Sequence, residues 1–386
     1  MGSERGAAVD LTGLPVLDNH CHPVLRDQRI PDRASWRSHF SEGSGPASRD
    51  QHVAATVAYW EAIGAIARHL GCAAEEEAVL AARPTLSAEQ LCGRYWADAG
   101  LAGLVVDDGY PAPHVATTLE QLGARRCPTW RVLRLETCFQ RLIGEHATLG
   151  AVGEALRAEL AAAHDAGCVG LKSIAAYRGG LTIGRWSAAD TQAAFRQARA
   201  AVERAEPLRL SDPRLRDPLL HEAFAIAAQR SWPVQFHCGY GDTDSDLRHA
   251  DPLRLRRVLE DPAYRTLPIV LLHEAYPYTR HGAYLCAVYD QVHMDLSYAV
   301  PYLGRAEMTR FTRAALGVAP WTKLLYASDG TGIPELHWLG AHTGRAVLGR
   351  CLTELVEQGS LEAATARSAG EAILHANARR LYRLPA

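Results

Sequence analysis

The sequence predicts an α/β fold, a (β/α)8 barrel of the TIM type, from two observations. Eight short runs rich in β-branched and aliphatic residues alternate with longer stretches of helical composition, rich in Ala, Leu, Arg and Glu. The first run is followed by Asn19-His-Cys-His-Pro23, which lacks the Gly-rich turn that opens a doubly wound dinucleotide-binding sheet. Eight strand–helix units close into a barrel, so residues 1–386 are predicted to form a single domain.

The predicted elements follow one another along the whole chain. The strands are Leu14–His20, Gly103–Asp107, Trp130–Leu135, Val169–Ile174, Pro233–His237, Pro268–His273, Gln291–Leu296 and Lys323–Ala327. The helices between the later strands are Thr148–Ala166, Ala188–Ala205, Asp217–Arg230, Pro252–Leu259, Tyr276–Tyr289 and Arg305–Leu316. Two further helices, Glu335–Gln358 and Leu361–Leu381, make up most of the C-terminal segment 335–386.

Residues 23–100 interrupt this rhythm between the first and second strands. The segment contains helical stretches at Gln51–Leu70 and Ala73–Ala81, and its earlier part, Arg26–Arg49, is predicted to be a loop because it is rich in Ser, Gly, Pro and charge. We predict a helical insertion over the C-terminal face of the barrel, where βα loops build active sites. A lid, a subunit contact and a passive elaboration remain alternatives.

Composition argues against a nucleic-acid or membrane partner. The chain has 41 Lys and Arg against 43 Asp and Glu, and a net charge of −2 gives no long-range attraction for a polyanion. The nine cysteines are an odd number without a C-x-x-C pair, as expected of reduced thiols in a cytoplasm. The first residues contain no apolar run of the secretory type. We therefore expect a cytoplasmic protein, alone or as a homo-oligomer, that acts on a small molecule.

Side chains that can bind a metal stand at or near the ends of five predicted strands. His20 and His22 form an H-x-H pair at the end of the first, and residues two apart in an extended segment point to the same side. The others, from strands four, five, six and eight, are Lys172, His237, His273 and Asp329. A single histidine usually has a structural role, but several imidazoles with one carboxylate describe a site for zinc or a similar divalent ion.

The segments around these residues resemble a known family. Gly170–Leu181 reads GLKSIAAYRGGL, Gln235–Asp242 reads QFHCGYGD, and Leu272–Pro277 reads LHEAYP. Together with the H-x-H pair and Asp329, they resemble the amidohydrolase superfamily, its amidohydrolase-2 branch, and within it the nodulin/FluG-like domains in stand-alone form. The resemblance extends from about Leu14 to Leu384.

The resemblance implies roles for the metal-competent residues. His20, His22 and Asp329 would hold the more buried ion. His237 would either join them in a one-metal site or hold a second ion together with His273. Zinc is the expected metal and manganese is the alternative.

Lys172 matches the strand-four lysine that is carboxylated in many two-metal relatives, where it bridges the ions. Unmodified, it would be a cationic substrate contact or a proton donor. Asp329 would act as general base toward the attacking water and then as general acid toward the leaving group. In a one-metal site, His273 would help to polarise the scissile carbonyl.

Four residues next to these strand ends are candidate substrate contacts. Tyr177 and Arg178 follow the Lys172 strand, and an arginine can bind a carboxylate with two parallel hydrogen bonds. Asp242 and Glu274 follow the strand-five and strand-six histidines and can accept an ammonium group. Such a set suits an α-amino-acid head group, and the FluG-like resemblance points to γ-glutamyl substrates.

Three functions are compatible with these residues. The first is a metal-dependent hydrolase that cleaves an amide or related C–N bond of a small polar substrate. The second is a metal-dependent decarboxylase of the amidohydrolase-2 type. The third, a non-catalytic metabolite-binding barrel, is disfavoured by the intact ligand set. A serine hydrolase is not expected, because the G-x-S-x-G motif is absent.

Overall fold

The computed structural model describes residues 8–124, 127–297 and 302–385. Eight parallel strands form one sheet in chain order. They are β1 Val16–Cys21, β2 Leu101–Asp107, β3 Thr129–Arg134, β4 Gly170–Ser173, β5 Val234–Phe236, β6 Ile269–Leu271, β7 Val292–Ser297 and β8 Leu324–Ala327. Each predicted strand overlaps an observed one, so the predicted (β/α)8 barrel is confirmed.

The barrel closes between β8 and β1 through residues that follow β8. The Asp329 amide donates to the His20 carbonyl at 3.0 Å, and the His22 amide donates to the Gly330 carbonyl at 2.8 Å. Asp329 itself has a positive φ of 52°, a conformation that turns the chain sharply. Because of this closure, the H-x-H pair of β1 and the aspartate after β8 are neighbours.

Residues 23–100 form the helical insertion that the sequence predicts, with more helix than expected. Its α-helices are α1 Arg33–Arg37, α2 Val57–Leu70, α3 Glu76–Ala82 and α4 Ala88–Ala99. A short helix therefore lies inside the predicted loop Arg26–Arg49. The sequence signal for α4 is a capping box, in which Ser87 and Gln90 each bond the other's backbone amide.

The remaining helices surround the sheet. They are α5 Leu119–Leu122, α6 Leu135–Glu145, α7 Leu149–Asp165, α8 Ala188–Glu203, α9 Pro213–Arg230, α10 Arg256–Leu259, α11 Thr279–Val288, α12 Arg305–Leu316, α13 Pro334–Glu357, α14 Ala363–Glu371 and α15 Asn377–Leu381. α6 was not predicted, because it begins where β3 ends and no turn residue separates them. α9 begins earlier than expected because Asp212 caps it and Pro213 suits its first turn.

The insertion is fixed to the C-terminal face of the barrel. α4 packs against α13 and leads into β2, so it completes the outer ring of helices. Before α4, Arg83 pairs with the buried Glu335 at the start of α13, with 2.6 Å between Nε and Oε1. Gln28 donates to the Gly332 carbonyl at 3.0 Å. These contacts hold the part of the insertion before α4 above the strand ends.

The barrel interior is polar next to the metal-competent residues, where Asn19 and Gln235 are buried, and apolar further down. The apolar part forms one buried cluster with the C-terminal segment: Leu17, Val105, Val132, Val270, Leu272, Leu325, Ala378, Tyr382 and Leu384. The last residues of the chain thus close the end of the barrel opposite the insertion. None of the described helices is both long enough and apolar enough to cross a membrane.

Candidate metal centre

The centre is built around Asp329, at the end of β8. The Nε2 atoms of His20 and His22 each lie 3.5 Å from Asp329 Oδ1, and His273 Nδ1 lies 3.3 Å from Oδ2. Potential ligand atoms of His20, His273 and Asp329 lie within 4.8 Å of one another. Four of the six predicted metal residues therefore converge on one point.

The hydrogen bonds of Gln235 fix the tautomer of His20. The Gln235 amide nitrogen faces two oxygen atoms, the Asn19 carbonyl at 2.8 Å and the Tyr382 hydroxyl at 2.7 Å. Its oxygen consequently faces His20 Nδ1, at 2.8 Å, and accepts the ring hydrogen there. The lone pair of His20 Nε2 is left pointing toward Asp329, as a metal ligand requires.

His22 is oriented in the same way by a different partner. Its Nδ1 donates to the Asp107 backbone carbonyl at 2.9 Å, so its Nε2 lone pair also faces Asp329. The Asp107 side chain accepts two hydrogen bonds from the Arg134 guanidinium, at 2.9 Å from Nε and 2.7 Å from Nη2. Although burial favours the neutral acid, Arg134 holds the pKa of Asp107 at about 2.

His273 has the least satisfied side chain of the group. Neither ring nitrogen has a hydrogen-bond partner among the described residues, although both atoms are buried. The residue begins a run of three positive φ angles, 61° at His273, 52° at Glu274 and 49° at Ala275. Such strained backbone persists where the surroundings enforce it, often at binding sites. An unpaired buried imidazole beside a carboxylate is what a bound metal ion would satisfy, so the residues present fit a metal.

Lys172 lies directly against the same centre. Its Nζ is 3.1 Å from His20 Nε2, and the residue is only 2% exposed. Burial lowers the pKa of Lys172 to about 8, against the opposing effect of Asp107. An amine in this position is compatible with both predicted states, the carboxylated ligand and the unmodified cation.

His237 stands beside the converging group. Its Nε2 donates to the Tyr240 carbonyl at 2.8 Å. Its ring centroid lies 4.4 Å from those of His273 and Tyr177. It is therefore in contact with the centre through His273.

The electrostatics suit a divalent cation. Burial lowers the pKa of His20 and His237 well below the usual value and that of His273 to about 4, so these imidazoles are neutral near pH 7. Burial opposes ionisation of Asp329, but the neighbouring histidines, His273 foremost, hold its pKa well below the ordinary value. Neutral imidazoles with a carboxylate form a donor set typical of zinc and other first-row divalent ions.

A small cavity, partly open to solvent, lies above the centre. It is lined by side chains from the insertion, from the ends of β5 to β8 and from the segments that follow them. The described lining residues are Glu42, His237, Tyr240, His273, Glu274, Tyr276, Ser297, Tyr302, Leu303 and Asp329. Residues of the metal centre therefore form part of the cavity wall.

The four predicted substrate contacts are placed differently. Glu274 lines the cavity and is 3% exposed. Tyr177 packs on His237, and the exposed Asp242 lies near Tyr177. Arg178 is not among the described lining residues, and its Nη1 donates to the Tyr177 carbonyl at 3.2 Å. The structure thus brings one of the four directly to the cavity.

Several residues of the centre were missed in the sequence. Gln235 stands two positions before His237 in the same strand, and Asp107 ends the second predicted strand, so strand periodicity could have indicated both. Arg134 likewise ends β3. Glu42 and Tyr302 lie in connections without periodic pattern, and no sequence signal marks them.

Comparison with known proteins defines the class of this chain. The family model described as Amidohydrolase, the amidohydrolase-2 model, matches residues 130–384, which is more than half of the sequence. The chain belongs to this family. The resemblance to the amidohydrolase-2 branch that the sequence motifs indicate is therefore confirmed.

Among individual proteins, the chain is 34% identical over 227 residues to protein fluG of Emericella nidulans. The match covers 57% of this chain and 26% of fluG, so the chain spans about a quarter of that protein. A candidate metal-dependent hydrolase from Lactobacillus casei ATCC 334 superposes with a TM-score of 0.86 and 27% identity, over 98% of both chains.

Uronate isomerase of Thermotoga maritima superposes with a TM-score of 0.68 and 15% identity, over 96% of this chain and 95% of the isomerase. At that identity the likeness concerns the fold alone.

Proposed function

We propose that this chain is a metal-dependent hydrolase that cleaves an amide or related C–N bond of a small polar substrate. The observation that carries the proposal is the convergence of His20, His22 and His273 on Asp329 at the wall of a cavity that opens to solvent. Membership of the amidohydrolase family and the likeness to the Lactobacillus casei protein support it.

His20, His22 and Asp329 would hold the metal, with His273 or His237 completing the site. Zinc is the expected ion and manganese the alternative. When bound, such an ion lowers the pKa of water toward ~7 and polarises a substrate carbonyl. The two imidazoles from β1 have no other role in the chemistry, since their Nδ1 hydrogens are committed to Gln235 and to the Asp107 carbonyl.

Asp329 is the proposed proton carrier. Its carboxylate is ionised near pH 7, so it can accept a proton from the attacking water and return it to the leaving amine. His273 lines the cavity without other hydrogen-bond partners among the described residues. It is available either to a second ion or as a contact to the carbonyl oxygen as negative charge develops there.

The finer proposal is a γ-glutamyl substrate. Glu274 supports it, because its carboxyl group lines the cavity and can accept a hydrogen bond from an α-ammonium group. Arg178 is not in the described lining of the cavity, so it would have to reorient to bind the α-carboxylate. Asp242 and Tyr177 would lie at the edge of the site, beside His237.

The test combines metal analysis with a substrate panel. Purified chain should contain a divalent ion, and chelation should abolish turnover, with recovery on adding zinc or manganese. The panel comprises γ-glutamyl amides, N-acyl amino acids and aromatic carboxylates, each scored for release of amine and of CO2. Amine release supports the proposal, whereas CO2 release without amine would replace it with the decarboxylase.

Asp329→Asn tests the proton carrier. The amide is a poor base, so kcat should fall by about 10²- to 10⁴-fold while much of the metal is retained. Asp251→Asn is the matched control, because Asp251 caps a short helix and pairs with His281 away from the metal centre. If Asp329→Asn kept near wild-type turnover, Asp329 would not be the proton carrier and its role would be structural.

A further inference from the structure

We propose that Glu42, which the insertion carries over the barrel mouth, selects substrates that bear a cationic ammonium group. Glu42 and Glu274 would bind this group together with the ring faces of Tyr240 and Tyr302. The inference rests on the proposed function and deepens it, because it names the charge of the substrate and the residues that recognise it.

The charge of the cavity is the first argument. Three acidic residues line it, Glu42, Glu274 and Asp329, and no lysine or arginine belongs to its described lining. Asp329 is engaged with the histidines of the metal centre. The other two carboxyl groups belong to neither group of potential metal ligands found in the described part of the chain. Both carboxyl groups are therefore available to a ligand that carries N–H donors.

Glu274 provides the second argument. Its Oε1 is buried and has no hydrogen-bond partner in the described residues, although the residue lines the cavity. A buried polar atom without a partner costs about 1–3 kcal/mol. A ligand N–H group in the cavity would supply the missing donor.

Glu42 and Tyr302 lie together in the cavity wall. The Tyr302 hydroxyl can donate to the Glu42 carboxyl group, which favours its ionised form. Burial, together with the nearby negative charge of Asp329, raises the pKa of Glu42 to about 7. An ammonium group would favour the ionised form that these surroundings disfavour.

The aromatic rings complete the arrangement. Tyr240 and Tyr302 have ring centroids 5.6 Å apart with an interplanar angle of 31°, and Tyr276 lies 5.9 Å from Tyr240. All three line the cavity. The face of an aromatic ring attracts a cation, and aromatic cages recognise substituted ammonium groups in this way. A neutral ligand would gain only apolar contact from the same surface, without the attraction of the ring faces for a cation.

The test measures binding rather than turnover. Three probes of equal chain length and without a cleavable bond, hexylammonium, hexan-1-ol and hexanoate, are titrated into the metal-loaded full-length chain by calorimetry. Hexylammonium should bind at least about tenfold more tightly than hexan-1-ol, as expected for a hydrogen bond to a charged group. If the chain binds hexan-1-ol or hexanoate as tightly as hexylammonium, the inference is wrong.

Substitutions then test whether Glu42 causes the preference for hexylammonium over hexan-1-ol. Glu42→Gln keeps the shape and should lower the preference for hexylammonium by about tenfold, with hexan-1-ol affinity unchanged. Glu42→Asp keeps the charge and should retain part of the preference. Glu77→Gln removes an exposed carboxylate of the insertion that pairs with Arg33, and should leave all affinities unchanged.

Unaltered hexylammonium affinity in a folded Glu42→Gln chain would overturn the inference. Because the probes are not hydrolysed, this result is independent of the proposed reaction. If the chain prefers hexylammonium but cleaves no amide, the proposed hydrolase activity is wrong and the proposed ammonium site stands.

Discussion

The metal centre has two sides that differ in how completely their polar groups are paired. On the side of the barrel interior, Gln235, Asn19 and Tyr382 hold His20 in a connected set of hydrogen bonds of 2.7–2.8 Å. On the side of the insertion, His273 and Glu274 carry buried polar atoms without partners among the described residues. The hydrogen bonds of this set are thus complete in the protein alone, whereas the groups on the other side are available to a bound metal or ligand.

This difference has a physical meaning. Ligands that must be preorganised are best held by rigid, fully paired neighbours, which fix the tautomer and the ring direction. Unpaired groups lower stability, and they persist where binding uses them. The three positive φ angles that begin at His273 lie on the unpaired side, in keeping with that division. Substitutions on the two sides should therefore change stability in opposite directions.

The largest effect is expected on the paired side, from Gln235→Leu. The change leaves the Tyr382 hydroxyl, the Asn19 carbonyl and His20 Nδ1 without the amide that they contact. The free energy of unfolding of the metal-free chain should fall by about 3 kcal/mol or more, since each unpaired buried group costs ~1–3 kcal/mol. The dissociation constant for zinc should rise about 10- to 100-fold. Urea denaturation and competition with a chromophoric chelator measure the two quantities.

Gln140→Leu is the control for this substitution. Gln140 makes one hydrogen bond, to the Leu208 carbonyl at 2.7 Å, outside the barrel interior. Its loss should cost about 1 kcal/mol and leave zinc affinity unchanged. If Gln235→Leu bound zinc as tightly as wild type, the tautomer of His20 would not depend on this network.

On the unpaired side, Glu274→Met should stabilise the metal-free chain. Methionine matches the length of glutamate and removes the buried carboxyl group, so the free energy of unfolding should rise by about 1–2 kcal/mol. Glu274→Gln retains unpaired polar atoms and should give no such gain. Both variants should bind hexylammonium more weakly. A loss of stability in Glu274→Met would show that the carboxyl group is structural.

The same division explains what the sequence could predict. Strand ends carry a periodic signal, so His20, His22, His273 and Asp329 were found, and the barrel closure made them neighbours. The cavity wall above them comes from connections whose course depends on packing. Glu42 lies in a segment predicted to be featureless loop, and sequence has no means to place it against a residue some 260 positions later, Tyr302.

Arg178 shows how the course of a loop decides where a side chain lies. Arg178 follows the strand that carries Lys172. From this position we predicted that Arg178 binds a substrate carboxylate above the metal. The short helical turn Ala175–Tyr177 instead directs its guanidinium to the Tyr177 carbonyl. The residue type predicts what the Arg178 side chain can bind. The course of the backbone determines where the guanidinium lies.

The smallest expected effect is on the pH dependence of the free energy of unfolding, and it tests Glu42 alone. Its pKa is about 7 in the folded chain, against an ordinary value of 4.5. As pH rises from about 4.5 to 7, the unfolded chain releases the proton first, so the Glu42 contribution to wild-type stability declines and then levels off. The stability difference between Glu42→Gln and wild type, measured by urea denaturation of the metal-free chain, should therefore widen in favour of the variant over that range.

Glu77→Gln should not reproduce this widening, although it removes the same charge from the insertion at an exposed site. If the stability difference between Glu42→Gln and wild type narrowed as pH rises, the fold would already stabilise the Glu42 carboxylate. In that case a cation of the protein would satisfy Glu42, and the cavity would have no unpaired charge to offer a substrate. The sign of this one slope therefore shows whether the folded chain leaves the Glu42 carboxylate unstabilised, as the proposed binding of an ammonium group requires.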